Sequence, residues 1–271
     1  MKNRRRTRRA RTTPSRAPIR PDGASDTIPK RVILVLRSLI FTTLMATSVI
    51  FFSGLVVTTL GLPRLERWRF VMGDACCRFE LWLLEKICGL RYVLEGTEHL
   101  PGAGGILFWR HESAWETFLS FTLSPRPTWV LKRELYWIPV IGWAIAAFRP
   151  IAIDRGARRH AVNQILQKGP IQIRQGRTLN FFPEGTRLAP GVRRRYGLSG
   201  ALLAKHLDCP VIPVAHNAGD FWRRRGWIKR PGVIQVRIGA PIASHGRSPE
   251  AFNTAIQQWI DGALAEIRTT A

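Results

Sequence analysis

The sequence predicts an α/β fold: a mixed, largely buried sheet covered by helices, preceded by an N-terminal hydrophobic membrane motif. Three observations carry this reading. Short apolar runs rich in Val, Ile and Phe recur between longer mixed stretches, as strands alternate with helices. One uninterrupted apolar segment near the N-terminus is longer than any buried strand needs. The four cysteines, Cys76, Cys77, Cys88 and Cys209, have no spacing that reads as a zinc or redox motif, so reduced thiols packed as small hydrophobes are expected. With 271 residues the chain can bury one sizeable core.

Residues 1–31 hold eleven Lys or Arg among Pro and Thr, with few apolar positions. They predict a disordered basic arm. From 32 to 62 the chain is apolar or small, with Arg37 its only charge, and residues 38–62 suffice to cross a bilayer. Arg64, Arg67 and Arg69 follow at once, so positive charge flanks both ends. That symmetry favours a re-entrant or half-inserted helical pair, with Gly54 and the Gly61-Leu62-Pro63 triplet as bending points. Residues 70–90 mix aromatic, aliphatic and charged side chains and predict an amphipathic interfacial helix. Residues 32–90 are thus expected to anchor or lie at a membrane, with a catalytic domain at 91–271.

In that domain strands are expected at 105–109, 128–131, 151–153, 178–182, 211–215 and 233–238. Helices are expected at 157–167 and 200–206. A C-terminal helix starts at Pro249, where Phe252, Ile256, Ile260, Leu264 and Ile267 recur at helical spacing. The net charge of +24 favours polyanionic neighbours: anionic lipid, acidic protein or nucleic acid.

Open α/β sheets carry function where strands end, and three strand ends here hold unusual polar groups. The first, ILFWRHESAWETF, places His111 and Glu116 five residues apart. In one continuous helix they would face different ways, so His111 must precede the helix and Glu116 must lie in its first turn. Ser113 with Glu116 also reads as a capping box, which leaves a purely structural role for Glu116 open. The second, TLNFFPEGTRL, ends in a tight turn that carries Glu184, Gly185, Thr186 and Arg187 towards an anion. The third, RPIAIDRG, offers Arg155. An ordinary turn and a solvated charge pair are the plain readings of the last two taken singly.

Together, HESAWE at 111–116, Arg155, FPEGTR at 182–187 and VIPV at 211–214 resemble, in order and spacing, the glycerolipid acyltransferase family, which includes the 1-acylglycerol-3-phosphate acyltransferases. The stretch beginning at Lys132 looks like the segment that precedes the family's second block. One departure stands out: Glu116 replaces the family's usual Asp, keeping the carboxylate and adding a methylene. The resemblance implies transfer of an acyl group from acyl carrier protein or coenzyme A thioester to a lysophospholipid acceptor. It implies His111 and Glu116 as the catalytic pair, and Lys132, Arg155, Glu184, Gly185, Thr186 and Arg187 against the acceptor. It calls for no metal or further cofactor. The positive charge on both flanks of the apolar segment favours a catalytic domain on the cytoplasmic face, in a bacterial inner membrane. Another lyso-lipid acceptor (lyso-ornithine lipid, glycerol 3-phosphate or a lipid A precursor) is the alternative. A membrane-tethered nucleic-acid-binding protein would leave both motifs as coincidences, so nucleic acid is not expected as a partner.

VIPV is read as a buried strand, and His206 and His216 receive no role. Trp109, Trp115, Trp129, Trp137 and Trp143 suit core, acyl groove or interface alike. Arg193–195, Arg223–225 and Trp227 form a basic and aromatic cluster. It suits a rim on anionic lipid, a patch for an acidic carrier protein, or a solvated face.

Overall fold

The computed structural model describes residues 27–154 and 156–270, with only the backbone of Arg158. The expected basic arm lies outside these residues except at its end, and Arg155 lies outside them as well. Residues 28–31 are already helical, with Pro29 in the first turn where its missing N–H costs nothing.

Helix α1 (Ile28–Val57) runs without interruption through Gly54, which is therefore not a bend. The chain turns after Val57 and passes through a 3-10 turn at Pro63–Leu65. It then returns as α2 (Glu66–Cys88), which the left-handed Gly89 ends. Phe52 meets Phe79, Ser48 bonds Glu80, and the Cys88 thiol reaches the Arg37 carbonyl, so the two helices form an antiparallel hairpin. Buried Arg69 closes its turn, donating from Nε to Thr59 Oγ1 at 3.1 Å and from Nη2 to the Leu62 carbonyl at 2.8 Å. Arg69 is thus spent on orphaned carbonyls rather than facing outward with Arg64 and Arg67.

Strand β1 (Leu90–Glu95), absent from the sequence expectation, begins directly after α2. Its half-buried alternation on a sheet edge reads weakly in a sequence, and Gly89 cuts it from the helix before it. There follow β2 (Gly105–Trp109), α3 (Trp115–Thr122), β3 (Pro127–Lys132), α4 (Ile141–Ala147) and β4 (Ile151–Ile153). Helix α5 (Arg158–Arg174) continues past the expected end through Pro170, and β5 (Thr178–Phe181) follows. The chain ends with α6 (Ser199–His206), β6 (Val211–His216), α7 (Ala218–Phe221), β7 (Gly232–Ile238) and α8 (Pro249–Thr270).

The sheet order is β1-β7-β6-β2-β5-β3-β4. Strands β6, β2, β5, β3 and β4 are parallel, whereas β7 runs antiparallel to β6 and carries β1 alongside it. Every residue of β2 is buried, because both faces of the sheet are covered. Leu107 and Trp109 pack with Leu84, Trp115 and Leu119 on one side. Ile106 and Phe108 pack with Ala201, Phe252, Ile256 and Ile260 on the other. Each fully buried large apolar side chain contributes about 1.5–3 kcal/mol. The indole of Trp109 donates to Asn180 Oδ1 at 2.8 Å, a buried polar link between neighbouring β2 and β5. One layout consequence matters for function: five parallel strands deliver their C-terminal ends to one edge.

Candidate active site

His111 lies just beyond the end of β2, before α3 begins. Its N–H donates to Glu184 Oε2 at 3.0 Å, and its carbonyl accepts from the Leu188 N–H at 2.8 Å. Its ring lies over Phe182, centroids 4.2 Å apart. Nδ1 is 2.8 Å from Glu116 Oε1, so Nδ1 carries the hydrogen and Nε2 is left with its lone pair for a substrate. The imidazole is 15% exposed, enough for one face to be reached.

Glu116 is fully buried in the first turn of α3. Besides His111, Oε1 accepts the N–H groups of Glu112 at 3.1 Å and Ser113 at 2.9 Å. Ser113 Oγ in turn accepts the Trp115 N–H at 3.2 Å. The helix therefore starts one residue later than a Ser113 cap would place it, with Ala114 at the N-cap. Glu116 fills both roles that its spacing allowed, bracing the loop amides and holding the imidazole. Burial pushes its carboxyl up, but the hydrogen bonds from His111 and from the Ser113 amide outweigh that, and it sits below the usual carboxylate range. Burial lowers the His111 pKa; Glu116 opposes this, and the positive charge of Arg187 adds to the lowering. The outcome is an imidazole biased towards its neutral form.

Beneath the pair runs a buried ionic chain that the sequence reading did not find. Arg110 donates from Nε to Glu112 Oε1 at 2.9 Å, from Nη1 to Glu184 Oε1 at 3.0 Å and from Nη2 to the Val192 carbonyl at 2.6 Å. Glu112 Oε2 accepts Arg268 of α8 at 2.8 Å, and Arg268 also donates to Asp220 Oδ2 at 2.9 Å. Gly219 is pressed against this carboxylate: a Cβ there would stand 2.7 Å from Glu112 Oε2. His216, at the end of β6, donates from Nε2 to the Arg110 carbonyl at 2.8 Å, and its Nδ1 accepts the Ala218 N–H at 3.3 Å. Charged residues on both sides of a strand-end histidine were the available signal for Arg110 and Glu112. Nothing local marked Arg268 or Asp220.

The other expected site residues are distributed as follows. Glu184 is buried, with both oxygens on Arg110 and the His111 amide, so the cation it braces is internal. Burial pushes its carboxyl up to about 8, with Arg110 pulling the other way. Gly185 has φ +71° and open space around it, a backbone conformation that lets the chain reverse tightly after Phe182. Thr186 and Arg187 are half-buried on that turn, and Arg224 donates to the Arg187 carbonyl at 2.9 Å. Lys132 ends β3, two strands from β2 and so roughly 10 Å away. Its ammonium is 3.2 Å from Glu134. The aromatic set divides: Trp109 and Trp115 are core, whereas Trp137 and Trp143 are exposed. Cys77 and Cys88 are buried, and Cys76 and Cys209 half-buried, all four as free thiols. Among the described residues no group of His, Cys, Asp or Glu could hold a metal ion.

A histidine oriented by a buried carboxylate, with arginine on the adjoining strand-end turn, suits proton abstraction from a hydroxyl next to an anion. A family model described as Acyltransferase matches residues 91–217. A 1-acyl-sn-glycerol-3-phosphate acyltransferase of Pseudomonas aeruginosa is 39% identical over 209 residues, covering 76% of this chain and 81% of that one. One from Cocos nucifera is 25% identical over 252 residues, covering 90% and 79%. The crystal structure of the 1-acyl-sn-glycerophosphate acyltransferase of Thermotoga maritima superposes with a TM-score of 0.74 at 21% identity, covering 88% of this chain and 97% of that one, and shares the fold. The chain belongs to the glycerolipid acyltransferase family and is an enzyme of that family.

Proposed function

We propose that the chain transfers a fatty acyl group from an acyl thioester to the hydroxyl of 1-acyl-sn-glycerol 3-phosphate, giving phosphatidic acid. Nε2 of His111 takes the hydroxyl proton as the oxygen attacks the thioester carbonyl. Glu116 holds Nδ1–H and stabilises the imidazolium that forms. Collapse of the tetrahedral intermediate breaks the C–S bond, and the imidazolium returns its proton to the departing thiolate. The lipid hydroxyl is the nucleophile, so the enzyme forms no covalent intermediate and draws on no cofactor beyond the donor, acyl carrier protein or coenzyme A. Arg187 binds the acceptor phosphate as a forked donor, with Arg155 and Lys132 as further cations.

The observation that carries this reading is the 2.8 Å contact between His111 Nδ1 and a fully buried Glu116. Helix α1 is long and apolar enough to cross a membrane, and Val32, Ile33, Leu36, Leu39, Ile40 and Phe51 are all exposed on it. These side chains suit contact with lipid, and the reading puts the catalytic domain on the cytoplasmic face of a bacterial inner membrane. The test is an assay of the purified chain with lysophosphatidic acid, lyso-ornithine lipid and glycerol 3-phosphate, each with both donor types. His111→Ala is expected to fold and to lose transfer. Near-normal turnover in that variant, or wild-type transfer only to acceptors without phosphate, would end the proposal.

A further inference from the structure

The hydrophobic hairpin is not the sole apolar surface near the site. Residues 222–230, between α7 and β7, form a compact loop whose base is closed by the Arg230 N–H donating to the Phe221 carbonyl at 3.0 Å. One side of the loop is stitched to α1. The Lys229 N–H donates to Ser38 Oγ at 2.9 Å, and its ammonium lies 5.4 Å from the Phe41 ring centroid and 5.0 Å from that of Trp222. The other side touches the site, through Arg224 on the Arg187 carbonyl.

The tip of the loop is built outward. Arg225 holds φ +57°, uncommon for a residue with a side chain, in a turn closed by the Gly226 N–H on the Arg223 carbonyl at 2.9 Å. Arg223, Arg224 and Arg225 are all exposed, Trp227 is 74% exposed and Ile228 40%. A large indole in water beside an aliphatic side chain gains nothing from the fold. Such a tip, edged by arginines and tied through Lys229 to Ser38, beside which Val35 and Leu39 are exposed on α1, matches the boundary between hydrocarbon and anionic headgroups.

We infer that loop 222–230 is a second lipid-contacting element: Trp227 and Ile228 enter an anionic bilayer beside the active site, and Arg223 and Arg225 bind its headgroups. Lys229 then fixes how deep α1 lies relative to Arg187. The inference rests on the membrane reading above and adds a surface that the hairpin does not supply.

The full-length chain is tested with vesicles of phosphatidylcholine, alone or with phosphatidylglycerol. The Arg223→Gln/Arg225→Gln variant is expected to need about 30-fold more anionic vesicle for half-maximal binding, with binding to neutral vesicles unchanged. Emission of the wild type is expected to be quenched by brominated lipid more than that of Trp227→Phe. Equal quenching of the two proteins, or unchanged affinity for anionic vesicles, would overturn the inference. So would a loss of rate confined to an acyl-carrier-protein donor at unchanged vesicle affinity, which would assign the loop to an acidic protein. Vesicle binding is read whether or not the chain turns over. Transfer to a short-chain soluble lysophosphatidic acid without vesicles tests the enzyme reading separately, and both variants are expected to retain it.

Discussion

Replacing Glu116 by Gln keeps the size of the side chain and removes one charge, at the cost of turning an amide NH2 toward the Ser113 N–H that Oε2 accepts at 3.0 Å. An amide oxygen at the Oε1 position still accepts from His111 Nδ1 and the loop amides, so the imidazole keeps its orientation. What is lost is the attraction for the imidazolium in the transition state. For unit charges about 4 Å apart at an effective dielectric constant of about 20 this is about 4 kcal/mol, or about 10³-fold in kcat. The pH profile supplies an independent sign. In the proposed mechanism His111 takes the proton only when neutral, so kcat/KM falls as pH drops through its pKa, which burial lowers. Glu116 raises that pKa, and its removal moves the acid limb to lower pH still. The assay is initial-rate transfer to lysophosphatidic acid between about pH 4.5 and 9, within the range where the two pKa directions separate. A fall in kcat of less than tenfold, or a limb displaced to higher pH, would refute the reasoning.

Other perturbations probe the surroundings. Arg268→Gln leaves Glu112 Oε2 and Asp220 without their cation, a loss we place at about 2 kcal/mol after discounting for its partial exposure, read by urea denaturation. Arg187→Gln is expected to raise the KM for the phosphate-bearing acceptor about 10- to 100-fold, the worth of a charge-assisted hydrogen bond, with unchanged thermal stability. Phe41→Ala removes a side chain 1% exposed that meets Trp222 edge-on at 5.7 Å, and is expected to lower stability in detergent by about 3–5 kcal/mol. Gly219→Val drives a branched side chain into the Glu112 carboxylate and is expected to abolish transfer, measured alongside circular dichroism to separate misfolding from loss of activity.

Much of this molecule is legible in its letters, and for local reasons. Strand-length apolar runs point to six of the seven strands among the described residues; β2 and β6, buried at every position, show most plainly why such a strand reads as a continuous apolar run. The spacing of His111 and Glu116 required a loop histidine and a first-turn carboxylate, and the backbone has that form. The misses are equally physical. Gly54 is expected to be a bend, but α1 continues through it to Val57, since a glycine permits a break without imposing one. Strand β1 escapes a search for apolar runs because an edge strand is half-polar, and α5 outlasts its expected end because it carries Pro170 in its interior.

What the sequence determined alone was the apolar helix, six of the strands and the loop-then-helix placement of His111 and Glu116, each set by neighbours a few residues away. What only the tertiary structure decided was the company those motifs keep. Arg110 meets Glu184 across 74 residues, and Arg268 meets Glu112 across 156. Such pairs follow from strand order and helix docking, which bury whole faces together and leave no trace in local spacing. The ionic chain beneath His111 and the loop that ties α1 to the Arg187 turn therefore belong to the fold.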